Sequence, residues 1–247
     1  MKMGRAWRSR DDASSWRYAR WATVGAAVVV LGVLVLAATV FNRPGPGGSS
    51  GAKPVTVAMV ASPAPRPLVF AAVGDSITAA NSDDLGQQKV GDGSWVYYAR
   101  SSELRFGGGW AHGGAQSSAM ARNARFVRAD VLVIIAGIND YRHHVPFATT
   151  SKNLLAIART VGADRVIVSA IPPSNVEPAI AAEFNRKLKP FVEAQGWTYM
   201  DAMADLRDGK RYAPGMTWDG THPTQAAAKL IGAAIAKAIV GHHGVSR

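Results

Sequence analysis

LVFAAVGDSIT, residues 68–78, joins an apolar run to a short polar turn. An unbroken apolar run that ends at Gly74 is typical of a strand buried on both faces of a parallel sheet. Gly74 permits a tight turn, and Asp75 can cap a helix that begins with Ser76. In the first turn of a helix, free backbone amides and the helix dipole favour developing negative charge. The segment therefore predicts a buried strand that delivers a serine to a site suited to nucleophilic chemistry.

Apolar runs and helical stretches alternate along the rest of the chain. Further strands are predicted at Val131–Ala136, Val166–Ala170 and Trp197–Met200, with a weaker one at Trp110–Ala111. Helices are predicted at Ser94–Leu104, Ser151–Val161, Ala179–Ala194 and Thr224–Val240. In the last helix, an apolar stripe faces the core, formed by Ala228, Ile231, Ile235 and Ile239. The alternation predicts an α/β fold, a three-layer α/β/α sandwich with a doubly wound parallel sheet of about five strands. In such a fold the ligand site lies beyond the carboxyl ends of the strands.

Residues 21–41, WATVGAAVVVLGVLVLAATVF, carry no charge. A helix of about 20 residues, rising 1.5 Å per residue, spans a hydrocarbon core of roughly 30 Å, so the stretch predicts one transmembrane helix. Six basic and two acidic residues precede it, so the positive-inside rule leaves residues 1–20 in the cytoplasm as a basic arm. The alternative is a signal peptide that is cleaved near Leu36-Ala37-Ala38 to give a secreted protein. The length of the apolar run favours an uncleaved anchor.

A Pro-, Gly- and Ser-rich linker at residues 42–67 is predicted to tether this helix to a domain at residues 68–247. The formal charge of +11 is spread along the chain rather than concentrated in that domain. The basic arm contributes +4, the linker +3 and the 19 basic and 15 acidic groups of the domain +4. The excess of positive charge therefore reflects membrane topology, and no nucleic-acid partner is predicted. The absence of cysteine excludes thiol catalysis and Cys-ligated zinc.

Near the other end of the domain, Asp219-Gly220-Thr221-His222-Pro223 leads into the last predicted helix. The spacing lets the Asp219 carboxylate reach Nδ1 of His222 and leaves Nε2 for the Ser76 hydroxyl. A neutral imidazole held by a carboxylate is the usual base that makes a serine nucleophilic. The histidine pairs elsewhere in the chain lack the spacing of metal ligands, so neither a metal nor a cofactor is predicted.

Together these residues resemble the SGNH (GDSL) hydrolase family. Its four sequence blocks occur here in order, as GDSIT at 74–78, HGGAQS at 112–117, GIND at 137–140 and DGTHP at 219–223. The resemblance implies a flavodoxin-like fold in which Ser76 is the nucleophile, His222 the base and Asp219 the residue that orients the base. It also implies an oxyanion hole made by the backbone amides of Ser76 and Gly114 and the side-chain amide of Asn139. Gly113 is the alternative to Gly114, which is preferred for its distance from Ser117.

The sequence therefore predicts a membrane-tethered, extracytoplasmic serine ester hydrolase. Its substrate is a small acyl or acetyl ester or an acylated cell-envelope glycan, because the polar segment at residues 79–94 and nearby aromatic side chains suit a sugar ester better than a long-chain lipid. An acyltransferase using the same Ser76 acyl-enzyme is one alternative. A non-catalytic glycan-binding module is another, although Ser76, Asp219 and His222 are all present.

Overall fold

A computed structural model describes residues 66–241. The basic arm, the predicted transmembrane helix and nearly all of the linker lie outside this part of the chain. Between residues 66 and 241, no helix is both long and apolar enough to cross a membrane.

The centre of the domain is a sheet of five parallel strands. They are β1 (Leu68–Gly74), β2 (Leu104–Ala111), β3 (Val131–Ile135), β4 (Arg165–Ser169) and β5 (Thr198–Met200), in the spatial order β2-β1-β3-β4-β5. The predicted doubly wound, five-stranded parallel sheet is confirmed. In the register of this sheet, Gly74 lies beside Ala111 of β2 and Ile135 of β3. Three neighbouring strands thus end at the same level, and the loops that follow them start together.

Helices cover both faces of the sheet. They are α1 (Ser76–Ala79), α2 (Trp95–Ala99), α3 (Ser117–Asn123), α4 (Ile138–Arg142), α5 (Phe147–Val161), α6 (Ile180–Ala194) and α7 (Gln225–Gly241). Side chains of β1 alternate between two cores, since Phe70 packs with residues of α2 and α7, whereas Val73 packs with residues of α3, α5 and α6. The predicted stripe of α7 is buried, since its four members are at most 2% exposed, and its three isoleucines pack in the core that contains Phe70.

The predicted helix at Ser94–Leu104 is too long. Helix α2 ends at Ala99, and Leu104 already belongs to β2, so the weak strand predicted at Trp110–Ala111 is only the end of an eight-residue strand. The sequence did not predict the first part of this strand, because the three glycines at 107–109 interrupt its apolar pattern. The close packing there requires glycine, since a Cβ on Gly109 would lie 1.9 Å from the Ala72 carbonyl oxygen. Strand β2 has one residue more than β1 at this point, because Phe70 pairs with Phe106 and Ala71 with Gly108; the register of the pairing shifts by one to accommodate Gly107.

Gly137 links the end of β3 to helix α4. Its φ is +128°, a value that side chains rarely adopt, and a Cβ at this position would lie 2.1 Å from the Phe184 ring. The chain can turn sharply from β3 into α4 only because residue 137 has no side chain. This turn sets the position of Asn139.

We expect Gly137→Ala to lower the free energy of unfolding by about 2–4 kcal/mol, because strain and overpacking add. Gly196→Ala is the matched control, since Gly196 also has a positive φ, +71°, but no atom lies within 4 Å of its added Cβ. The control should lose only about 1–2 kcal/mol. Urea unfolding measures both values, and an equal loss in the two variants would show that the Phe184 contact is not limiting.

Candidate active site

Ser76 lies in the turn that connects β1 to α1. Oδ1 of Asp75 accepts the Ile77 backbone N–H at 3.0 Å, so Asp75 caps the short helix as the sequence predicts. Gly74 has no room for a side chain, since a Cβ there would lie 2.2 Å from Oγ1 of Thr78 and 2.9 Å from the carbonyl oxygen of Ile135. The turn therefore holds Ser76 partly exposed at the carboxyl end of the sheet.

The structure brings the three predicted residues of the DGTHP and GDSIT blocks together in one hydrogen-bonded series. Nε2 of His222 lies 3.0 Å from Oγ of Ser76, and Nδ1 of His222 lies 2.7 Å from Oδ2 of Asp219. Ser76 and His222 are 146 residues apart in the chain, so only the tertiary fold creates this contact.

Asp219 is anchored by its own loop. Its Oδ1 accepts the backbone N–H groups of Thr221 and His222 at 2.8 and 2.7 Å. Desolvation alone would raise the pKa of Asp219, but these hydrogen bonds and the interaction with the His222 side chain outweigh it, so the pKa is lowered. An ionised carboxylate can only accept, so Nδ1 of a neutral His222 carries the proton and Nε2 is free to accept the Ser76 hydroxyl proton.

Further contacts fix the His222 loop. Oγ1 of Thr217 donates to the His222 carbonyl oxygen at 2.7 Å, and the Trp218 indole stacks on the imidazole with ring centroids 5.5 Å apart and planes at 17°. From α4, Nη2 of Arg142 donates to Oγ1 of Thr221 at 3.1 Å. Trp218 is one of the aromatic side chains that the sequence predicts near the site, whereas no sequence pattern indicated the contacts of Thr217, Thr221 and Arg142. They restrict the imidazole to the orientation that faces Ser76.

The HGGAQS block forms a tight turn after β2. The Ala115 N–H donates to the His112 carbonyl oxygen at 3.2 Å, and Gly114 has a φ of +72°. Nδ2 of Asn139 donates to the Ala115 carbonyl oxygen at 3.0 Å, which uses one of its two N–H groups and leaves the other available. Within residues 66–241, the backbone N–H groups of Ser76, Gly113 and Gly114 have no protein acceptor. The choice of Gly114 over Gly113 stays a prediction.

A buried network that the sequence did not predict joins this turn to the GIND block. Asp140, 1% exposed, accepts the Ser117 N–H at 2.8 Å, the Ser117 hydroxyl, and the Thr150 hydroxyl at 3.0 Å. Nδ2 of Asn153 in turn donates to the Ser117 hydroxyl at 2.9 Å. Because Asp140 adjoins Asn139, the network fixes the predicted oxyanion residues relative to one another. The only sequence signal was the place of Ser117 and Asp140 at the ends of their blocks.

No group of three or more His, Cys, Asp or Glu side chains in the described residues could hold a metal ion. The arrangement instead offers a hydroxyl, an acceptor nitrogen and a set of N–H donors. Such a set can bind and attack an acyl carbon.

The model of the GDSL-like lipase/acylhydrolase family matches residues 72–230 of the chain. No curated protein sequence matches the chain.

Several solved structures share the fold. The lipase/acylhydrolase from Enterococcus faecalis superposes with a TM-score of 0.54 at 19% identity, covering 71% of this chain and 96% of its own. A member of the lipolytic protein G-D-S-L family from Veillonella parvula gives 0.55 at 16% identity, with coverages of 70% and 97%. A carbohydrate acetylesterase from Sinorhizobium meliloti gives 0.50 at 15% identity, with coverages of 71% and 100%.

One buried group beside Ser76 makes the stability of the domain depend on pH. Desolvation raises the pKa of Asp75 to about 7, although the Ile77 N–H and the charge of His222 act in the opposite direction. Because the native state binds this proton more tightly than the unfolded chain, the contribution of Asp75 to stability is full below about pH 4 and is lost as the pH rises through about 7.

We expect Asp75→Asn to remove this dependence, since an asparagine oxygen still accepts the Ile77 N–H and does not titrate. Between pH 4 and pH 8, the free energy of unfolding of the wild type should fall relative to that of the variant by up to about 4 kcal/mol. Urea unfolding at a series of pH values measures the difference. A constant difference across this range would contradict the raised pKa.

Proposed function

Since the chain belongs to the GDSL-like lipase/acylhydrolase family, we propose that it hydrolyses esters with Ser76, His222 and Asp219 as a catalytic triad. The supporting observation is the hydrogen-bonded series itself, in which His222 lies 3.0 Å from the Ser76 hydroxyl through Nε2 and 2.7 Å from Asp219 through Nδ1. The family name describes acylhydrolases, so the reaction class follows from the membership. The assignment of roles to these residues is our proposal.

In this mechanism Oγ of Ser76 attacks the acyl carbon while its proton passes to Nε2 of His222. Asp219 stabilises the imidazolium that forms, because its carboxylate is ionised and fixed by two backbone N–H groups. The negative charge on the former carbonyl oxygen is stabilised by the Ser76 and Gly114 amides and by the free N–H of Asn139. The imidazolium then protonates the leaving alcohol. Water, deprotonated by His222, releases the acid from the acyl-enzyme and restores the Ser76 hydroxyl.

The proposed substrate is a small acyl ester, with an acetyl group on a sugar as the preferred form. Trp218 is 71% exposed and stacks on His222, so a flat aromatic surface borders the proposed nucleophile. The segment at residues 79–94 exposes polar side chains, among them Asn81, Asp83 and Gln87. The carbohydrate acetylesterase from Sinorhizobium meliloti shares the fold and supports this choice by analogy.

We further propose that residues 21–41 anchor the enzyme in the cell membrane with its domain outside. The uncharged run and the preceding basic arm support this topology. In an alkaline carbonate extraction of membranes, the full chain should stay in the pellet, whereas a variant that begins at Pro54 should be released. Release of the full chain would leave secretion after cleavage as the better account.

Ser76→Ala should lower kcat for p-nitrophenyl acetate by about 10⁴-fold or more, since the nucleophile is lost. The wild type should also be labelled by a fluorophosphonate, and the variant should not. Ser102→Ala is the matched control, because Ser102 is an exposed serine outside the site, and it should behave as the wild type. Equal hydrolysis by the Ser76 and Ser102 variants would exclude Ser76 as nucleophile.

Asn139→Ala should lower kcat for the same substrate by about 10²- to 10³-fold, because one donor to the oxyanion is removed. KM should change much less, since this bond strengthens in the transition state. Steady-state kinetics separates the two constants. A rise in KM with an unaltered kcat would assign Asn139 to substrate binding rather than to oxyanion stabilisation.

A further inference from the structure

An open groove of about 430 Å³ begins at the carboxyl end of β2. We call it the Trp110 groove, lined by Trp110, His112, Gly114, Gln116, Ser118 and Arg122. Gly114, whose amide is a proposed oxyanion donor, belongs to its wall. The groove therefore shares one residue with the proposed oxyanion hole.

Trp110 at the end of β2 and His112 in the following turn give the groove aromatic lining. The Trp110 indole stacks on the His112 imidazole, with ring centroids 6.2 Å apart and planes at 18°. Nδ1 of His112 lies 2.8 Å from the Gly113 carbonyl oxygen, which holds the exposed imidazole against the turn. The stack is thus a supported flat surface, of the kind against which the apolar face of a pyranose ring packs.

Helix α3 and its N-cap residue contribute polar side chains to the groove. Within residues 66–241, the side chains of Gln116, Ser118 and Arg122 make no hydrogen bond or ion pair to the protein, although each lines the groove. The lining includes one guanidinium and no carboxylate. An amide and a hydroxyl suit sugar hydroxyls, and an unpaired guanidinium suits a carboxylate or phosphate.

We propose that the Trp110 groove binds a sugar ring that carries an acidic group, as the part of the substrate next to the ester that Ser76 cleaves. The inference rests on the proposed function and narrows its substrate class from acylated glycans to acidic ones. Arg122 selects the acidic group, and Trp110 supports the ring. The negative group is a carboxylate or a phosphate, since a guanidinium pairs with either.

Binding by calorimetry tests the groove without requiring hydrolysis. We expect the full chain in detergent to bind trigalacturonic acid at least about 10-fold more tightly than galactotriose, from one charge-assisted pair. Comparing the affinity for galactose 6-phosphate with that for galactose shows whether the groove prefers a phosphate to a carboxylate as the acidic group. In Arg122→Gln, the ratio of the affinity for the acidic sugar to that for the neutral sugar should fall close to one. Trp110→Ala should weaken the binding of acidic and neutral sugars alike.

Arg128→Gln is the matched control, because Arg128 is an exposed arginine that does not line the Trp110 groove. It should keep the wild-type preference. Equal affinity for acidic and neutral sugars in the wild type, no binding of either, or a full preference in Arg122→Gln would each overturn the proposal. Hydrolysis of p-nitrophenyl acetate, measured in the same preparations, reports separately on the proposed esterase activity.

Discussion

The candidate site depends on the register of three parallel strands. Because Gly74 of β1 lies beside Ala111 of β2 and Ile135 of β3, the loops that carry Ser76, the HGGAQS turn and Asn139 leave the sheet at one level. A slip of one residue would exchange the two faces of β1 and move Phe70 and Val73 into the wrong cores. The register that fills the two cores is thus the same one that assembles the site, so packing and function constrain the same residues.

Two buried carboxylates near Ser76 illustrate how the site uses polar groups. Asp75 accepts one hydrogen bond, from Ile77, and burial raises its pKa to about 7. Asp140 accepts from Ser117 and Thr150 and thereby holds together three helices and the HGGAQS turn. A buried acceptor with several donors is a strong positional restraint, because losing one partner leaves a polar group unsatisfied. The HGGAQS turn that follows β2 is therefore fixed by hydrogen bonds to Asn139 and Asp140.

Most of the fold could be predicted from the sequence because buried parallel strands such as Val131–Ile135 are continuous apolar runs. The ends of strand β2 could not be predicted, because the glycines at 107–109 form no hydrophobic pattern. Gly109 is required there by the close approach of the Ala72 backbone. Ser76, Asp219 and His222 could be proposed because each lies in a short motif. The Ser117–Asp140 network joins segments that are distant in the chain, so no local pattern displays it. Trp218 and His222 are close in sequence, but their stacking depends on the conformation of the loop, which the residue types alone do not show.

In the proposed mechanism, Ser76 carries the acyl group during turnover. Acid quenching of the wild-type enzyme with p-nitrophenyl acetate, followed by mass spectrometry of the peptide that contains Ser76, tests it most directly. We predict an increase by the mass of one acetyl group on that peptide, localised to Ser76, and none when the same experiment is run on the Ser76→Ala variant. An unmodified Ser76 peptide during active turnover, or an acetyl group found on another residue that disappears as turnover ends, would contradict the account.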